Sequence, residues 1–127
     1  DEANGGFTTG TPWIEVNPNY KVINAREQVS DPDSIYNYYK RLIYLRKNNE
    51  VIVYGSFLLL LPEDPDIFAY VRTLGDSRIL VVCNFYGNET EYSLPKEYGN
   101  RKELLISNYK TILTDRLRPY EAYMCRI

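Results

Sequence analysis

The feature that most limits how this chain can fold is the stretch from Ile67 to Phe85. It reads Ile-Phe-Ala-Tyr-Val-Arg-Thr-Leu, then Gly75-Asp76-Ser77, then Arg-Ile-Leu-Val-Val-Cys-Asn-Phe. Two runs rich in β-branched and aromatic residues, joined by a short Gly-bearing turn, predict a β-hairpin. The second run carries Ile79, Leu80, Val81, Val82 and Cys83 without a break. A strand that is apolar on both faces belongs at the centre of a sheet covered on each side.

Further candidate strands flank the hairpin: Val51 to Tyr54, Phe57 to Leu61, Thr90 to Leu94, Leu104 to Ser107, Ile112 to Leu117 and Tyr120 to Ile127. Their spacing of about ten residues, with Gly, Pro and Asn between, predicts an antiparallel β-sandwich with a Greek-key path. Ahead of them, Asp31 to Asn49 predicts one long helix, with Asp31 as its cap and Pro32 at the first helical position. Ile35, Tyr38, Tyr39, Leu42 and Leu45 recur at helical spacing, and Tyr36 and Ile43 add a second stripe. That stripe is either buried against a neighbouring domain or part of one broad core face. Residues before Ser30 are punctuated by Gly5, Gly6, Gly10, Pro12 and Pro18 and predict a loop, with a helical turn at Ala25 to Val29. The expected class is mainly β, with loop and helix in residues 1–49 and the sandwich in residues 50–127.

Several chemistries are excluded. The 127 residues contain no His, which rules out a Ser-His-Asp triad, a Cys-His pair and His-ligated metal within this chain. A net charge of −2 without a basic stripe does not suggest nucleic acid, and the longest apolar run, Phe57 to Leu61, is too short to span a bilayer. Asp31, Asp33, Asp64 and Asp66 stand at a helix start or in a Pro-bearing turn, where Asp serves the local backbone. Cys83 and Cys125 are expected to be two buried free thiols. Asn88-Glu89-Thr90 fits a glycosylation acceptor but needs a secretory route that the sequence does not display. The sole Met is Met124, and the first residues are loop-like, which suggests a fragment or processed product. Phe7 and Trp13, on a Gly/Pro loop, either stack on sugar rings or anchor the loop to adjacent surface.

Taken together, Gly6-Phe-Thr-Thr-Gly-Thr-Pro-Trp-Ile, Val16-Asn-Pro-Asn-Tyr, Asp31-Pro-Asp-Ser-Ile, Tyr38-Tyr-Lys-Arg-Leu-Ile-Tyr-Leu-Arg-Lys, Ile67-Phe-Ala-Tyr-Val-Arg, Leu80-Val-Val-Cys-Asn-Phe and Leu117-Arg-Pro-Tyr-Glu-Ala span nearly the whole chain. They resemble the C-terminal part of the oligo-1,6-glucosidases, in the α-amylase superfamily of retaining glycoside hydrolases (family 13). Trehalose-6-phosphate hydrolases, dextran glucosidases and sucrose-isomerising enzymes are similar.

The resemblance implies that the loop and helix close a (β/α)8 barrel whose remainder is missing, and that the sandwich is the C-terminal domain. It implies a parent that cleaves α-1,6 bonds of isomalto-oligosaccharides with retention, using carboxylates upstream of Asp1. No catalytic residue, metal ligand or cofactor is therefore expected on this chain. Phe7, Thr8, Thr9 and Trp13 are the expected substrate-rim residues. The expected partners are the missing catalytic domain and a small oligosaccharide, without nucleic acid or membrane, and the expected location is the cytoplasm. A stand-alone carbohydrate-binding module and an oligomerisation domain are the competing classes.

Overall fold

The computed structural model describes residues 2–127. β2 (Ile67–Leu74) and β3 (Ser77–Asn84) pair antiparallel from Ile67↔Asn84 to Leu74↔Ser77, leaving Gly75 and Asp76 as the turn. Gly75 has φ +57°, the left-handed geometry that a tight hairpin turn asks of its first central residue. β1 (Ser56–Leu60) pairs with β2. The chain then leaves for β4 (Thr90–Glu91), returns to β5 (Glu103–Ser107), leaves again for β6 (Arg116–Leu117) and ends in β7 (Ala122–Arg126). The large sheet has the order β1-β2-β3-β7-β5, and β4 pairs with β6 in a two-stranded second sheet. Every pairing is antiparallel. β7 slots between β3 and β5, the crossing path that a Greek key requires.

Strand alternation sorts the large sheet into two faces. The inner face gathers Leu60, Ile67, Ala69, Val71, Leu80, Val82, Tyr123 and Cys125, and is covered by Tyr92 and Leu117 from the small-sheet side. The outer face carries Ile79 and Val81, covered by Val51. Cys83 and Cys125 are free and fall on opposite faces. Burial pushes each thiol up to about 11, so both stay protonated.

By internal packing the chain forms two units, one up to Arg41 and one from Leu42 to Ile127. The first unit holds 3-10 turns at Ala3–Gly6 and Pro18–Lys21 and helix α1 (Ala25–Ser30). Helix α2 (Ile35–Lys47) is shorter than its sequence predicts. The Asp31 carboxylate is taken by the N–H of Asp33 (2.9 Å) in a local turn, and Ser34 Oγ accepts from Asn37 N–H (3.2 Å) as the cap. No residue of α2 is buried; Ile35, Tyr36, Tyr39, Ile43 and Tyr44 are all exposed.

Residues Val51 to Tyr54, expected as a strand, form helix α3 (Glu50–Tyr54). Asn49 accepts from Val51 N–H (3.2 Å) and turns the chain into a helix despite its β-branched residues. Its last bond runs from Gly55 N–H to the Val51 carbonyl (3.1 Å), and the helix ends because Gly55 itself turns to ψ 148°, where β1 begins at once. A Cβ on Gly55 would lie 2.5 Å from the Val51 oxygen and 3.1 to 3.2 Å from backbone atoms of Thr73. None of these can swing aside. Gly55→Ala is therefore expected to cost about 1–3 kcal/mol in urea unfolding. Gly99→Ala, where the nearest contact is 3.6 Å, serves as the tolerant control. Equal midpoints for the two variants would contradict this account.

Candidate functional site

Three consecutive residues, Asn4, Gly5 and Gly6, have φ of 54°, 63° and 80° and reverse the chain. Asn is the ordinary residue that best tolerates this region, and glycine enters it without penalty. From there the Asn4 side chain donates to the carbonyls of Thr8 and Gly10, both at 3.0 Å. Gly10 N–H donates to Thr8 Oγ1 at 3.1 Å. Residues 4–10 are thus closed on one amide, and Phe7 is presented at the tip.

The next segment is fixed by a second set of Asn side chains. Asn17 Oδ1 accepts from Asn19 N–H (3.2 Å) to start the 3-10 turn, and Asn24 caps α1 through Glu27 N–H (3.1 Å) while donating to the Tyr20 carbonyl (3.0 Å). Between these supports lies a cavity of about 630 Å³ lined by Phe7, Thr8, Pro12, Trp13, Asn17 and Tyr20, among others. Phe7 and Trp13 are 86% and 94% exposed, so both rings present their area to solvent. Thr8 is half-buried, with its hydroxyl engaged by Gly10. Thr9 is exposed and does not line the cavity. Three of the four residues expected at a substrate rim therefore share one concavity. Sequence reasoning missed Asn4, which shapes it; the signal was the Asn-Gly-Gly run.

This arrangement offers aromatic area, amides and one carboxylate, that of Glu15 in the cavity lining. Glycoside cleavage needs a carboxyl held protonated beside a second carboxylate. Among the described residues the carboxyls with a displaced pKa are Asp115 and Glu121, and both are lowered. Glu121 is fully buried; burial opposes its ionisation, but Arg118 outweighs that through Nε and Nη2 (each 2.8 Å) and its backbone N–H (2.9 Å). Arg118 in turn stacks over Tyr109 at 4.0 Å and donates to the Thr111 carbonyl. Glu121 is thus a corner-stone of the turn Arg118-Pro119-Tyr120-Glu121, with Glu121 N–H on the Arg118 carbonyl (3.0 Å) and Tyr120 at φ +56°. Asp64 likewise serves its backbone, accepting from Asp66 and Ile67 N–H. Among the described residues no three His, Cys, Asp or Glu side chains cluster as a metal site requires, and no helix is long and apolar enough to cross a membrane.

Residues 1–55 match the alpha-amylase catalytic domain, and residues 67–122 match the C-terminal domain of the alpha-amylase SusG. The chain is 50% identical to an oligo-1,6-glucosidase of Bacillus cereus, over all of this chain and 24% of that protein. It is 51% identical to an oligo-1,6-glucosidase of Halalkalibacterium halodurans, over 93% of this chain and 22% of that protein. The crystal structure of trehalose-6-phosphate hydrolase from Bacillus licheniformis matches at a TM-score of 0.88 and 44% identity, covering 98% of this chain and 24% of that one. The chain belongs to the alpha-amylase family. It spans about a quarter of the length of the relatives it matches.

The Glu121 pair makes stability depend on pH. Its folded pKa lies below the unfolded value, so its contribution is present above the ordinary glutamate range and is lost as pH falls through the folded value. Acid unfolding of Glu121→Gln, followed by circular dichroism, is expected to show lower stability at neutral pH and a shallower decline below the ordinary glutamate range. Parallel profiles for the two proteins would exclude this role.

Proposed function

We propose that the chain is the C-terminal portion of an α-glucosidase that hydrolyses α-1,6-glucosidic bonds of isomalto-oligosaccharides with retention, and that the chain itself is non-catalytic. The observation that carries this reading is identity near 50% to oligo-1,6-glucosidases along the whole chain. Residues 1–49 then complete a catalytic barrel supplied by the rest of the protein, and residues 50–127 form a separate sandwich domain. Phe7, Thr8, Thr9 and Trp13 lie at the rim of the glucose-binding site, where exposed rings suit stacking on a sugar. The two unpaired thiols suit a reducing compartment, the cytoplasm. A trehalose-6-phosphate hydrolase parent is the second reading, favoured by the structural match to that enzyme.

Glucose release from isomaltose, maltose and trehalose 6-phosphate, measured for this chain and for the full-length protein side by side, tests the reading. The full-length protein is expected to prefer isomaltose, with no release by the chain alone. Preference for trehalose 6-phosphate would transfer the assignment to the second reading. Turnover by the chain alone would overturn both.

A further inference from the structure

Asn4 is the only asparagine of this chain that is followed by glycine. Asparagine is among the chemically labile side chains, and a following glycine, free of a Cβ, lets its own amide nitrogen approach the asparagine Cγ. The reaction is a ring closure. The Gly5 nitrogen gives its proton to hydroxide and bonds to the Asn4 Cγ, the Cγ–Nδ2 bond breaks, and ammonia leaves a succinimide behind. Water then opens either imide carbonyl, which yields aspartate or isoaspartate at position 4. The net change is asparagine plus water to acid plus ammonia, with no oxidation or reduction.

The closed loop holds both reacting groups. Gly5 N–H donates to the Glu2 carbonyl (3.1 Å), and Asn4 Nδ2 donates to the carbonyls of Thr8 and Gly10 (both 3.0 Å). Losing Nδ2 breaks the second pair of bonds, so the reaction waits on local opening of the loop. The product cannot restore them. Aspartate tolerates the left-handed backbone of position 4, φ 54° and ψ 28°, but an ionised carboxylate has no donor to offer. It would set negative oxygen against two carbonyl oxygens that have lost their partner. Isoaspartate adds an atom to the main chain and loses the turn itself. Phe7, at the tip of this loop, lines both the cavity that holds Trp13 and a second one, of about 500 Å³, that holds Gly5, Tyr20 and Ile23. One amide therefore positions a ring that both concavities share.

We propose that Asn4 is a site of spontaneous deamidation, and that its conversion irreversibly unlatches residues 4–10 and dismantles the aromatic concavity. Neither step depends on what the cavity binds, so failure here leaves the glucose-release result untouched. The full-length protein, aged in mildly alkaline buffer both natively and in urea and then digested for peptide mass spectrometry, tests the reactivity. Asn4 is expected to convert to a mixture of aspartate and isoaspartate, several-fold more slowly in the native protein than in urea, while Asn108, followed by Tyr109, stays intact. No conversion in the native protein would overturn the site, and equal rates in the two would overturn its protection by the loop. Asn4→Asp tests the unlatching. Brief chymotrypsin treatment is expected to cut after Phe7 several-fold faster in this variant, with cleavage after Phe57 in β1 unchanged. Unaltered cleavage after Phe7 would overturn the latch. Faster cleavage at both positions would mean general unfolding and would overturn a local effect.

Discussion

The sandwich depends on removing both faces of β3 from water. Ile79, Leu80 and Val82 are fully buried, and Val81 nearly so, which places neighbouring residues of one strand in two separate cores. Each face therefore needs a cover of its own. The small sheet supplies the inner cover through Tyr92 and Leu117, and α3 supplies part of the outer one through Val51. The rest of the topology follows. A meander of β1, β2 and β3 leaves one edge of β3 free, and β7 closes it only after the chain has visited the second sheet. Burying one aliphatic side chain contributes about 1.5–3 kcal/mol, so the central strand outweighs any single polar contact on the surface.

The two layers are also joined by polar groups, which fixes their register. Tyr92 Oη and Tyr123 Oη lie 2.7 Å apart across the inner core, and Arg101 donates to Tyr92 Oη at 2.6 Å while resting 5.1 Å over the Tyr123 ring. Burial raises the pKa of both phenols, so both keep their protons. A buried hydroxyl without a partner would cost free energy, and here each one is the other's partner. Apolar packing tolerates small slips, but a hydroxyl pair with a guanidinium does not.

Patterns that depend on neighbouring residues in the chain were legible in the sequence. The hairpin, its turn at Gly75, β1, β5, β7 and the turn at Asp64 all lie where their residue types put them. The failures came where two local signals competed. Val51 to Tyr54 has the composition of a strand, yet Asn49 before it and Gly55 after it bracket one helical turn, and burial of Val51 selects the helix. Asp31-Pro32 has the form of a helix start, yet Ser34, three residues on, is the buried cap because its hydroxyl also donates to the Gln28 carbonyl. Glu121 is the deeper case. Its charge is buried only because Pro119 and a left-handed Tyr120 bring Arg118 back over it, a geometry no spacing rule displays.

The same limit applies to the loop. Phe7 and Trp13 could be singled out because aromatics on a Gly/Pro stretch have few neighbours to pack on. Their shared cavity depends on Asn4, whose one amide reaches two carbonyls four and six residues away. Holding a loop this way spends no core volume, and it leaves the aromatic area free for a ligand or another domain. Asp64 and Glu121 of the sandwich are instead committed, Asp64 to backbone N–H groups and Glu121 to Arg118, which lowers the Glu121 pKa. A group that must exchange a proton cannot also be locked into holding the fold.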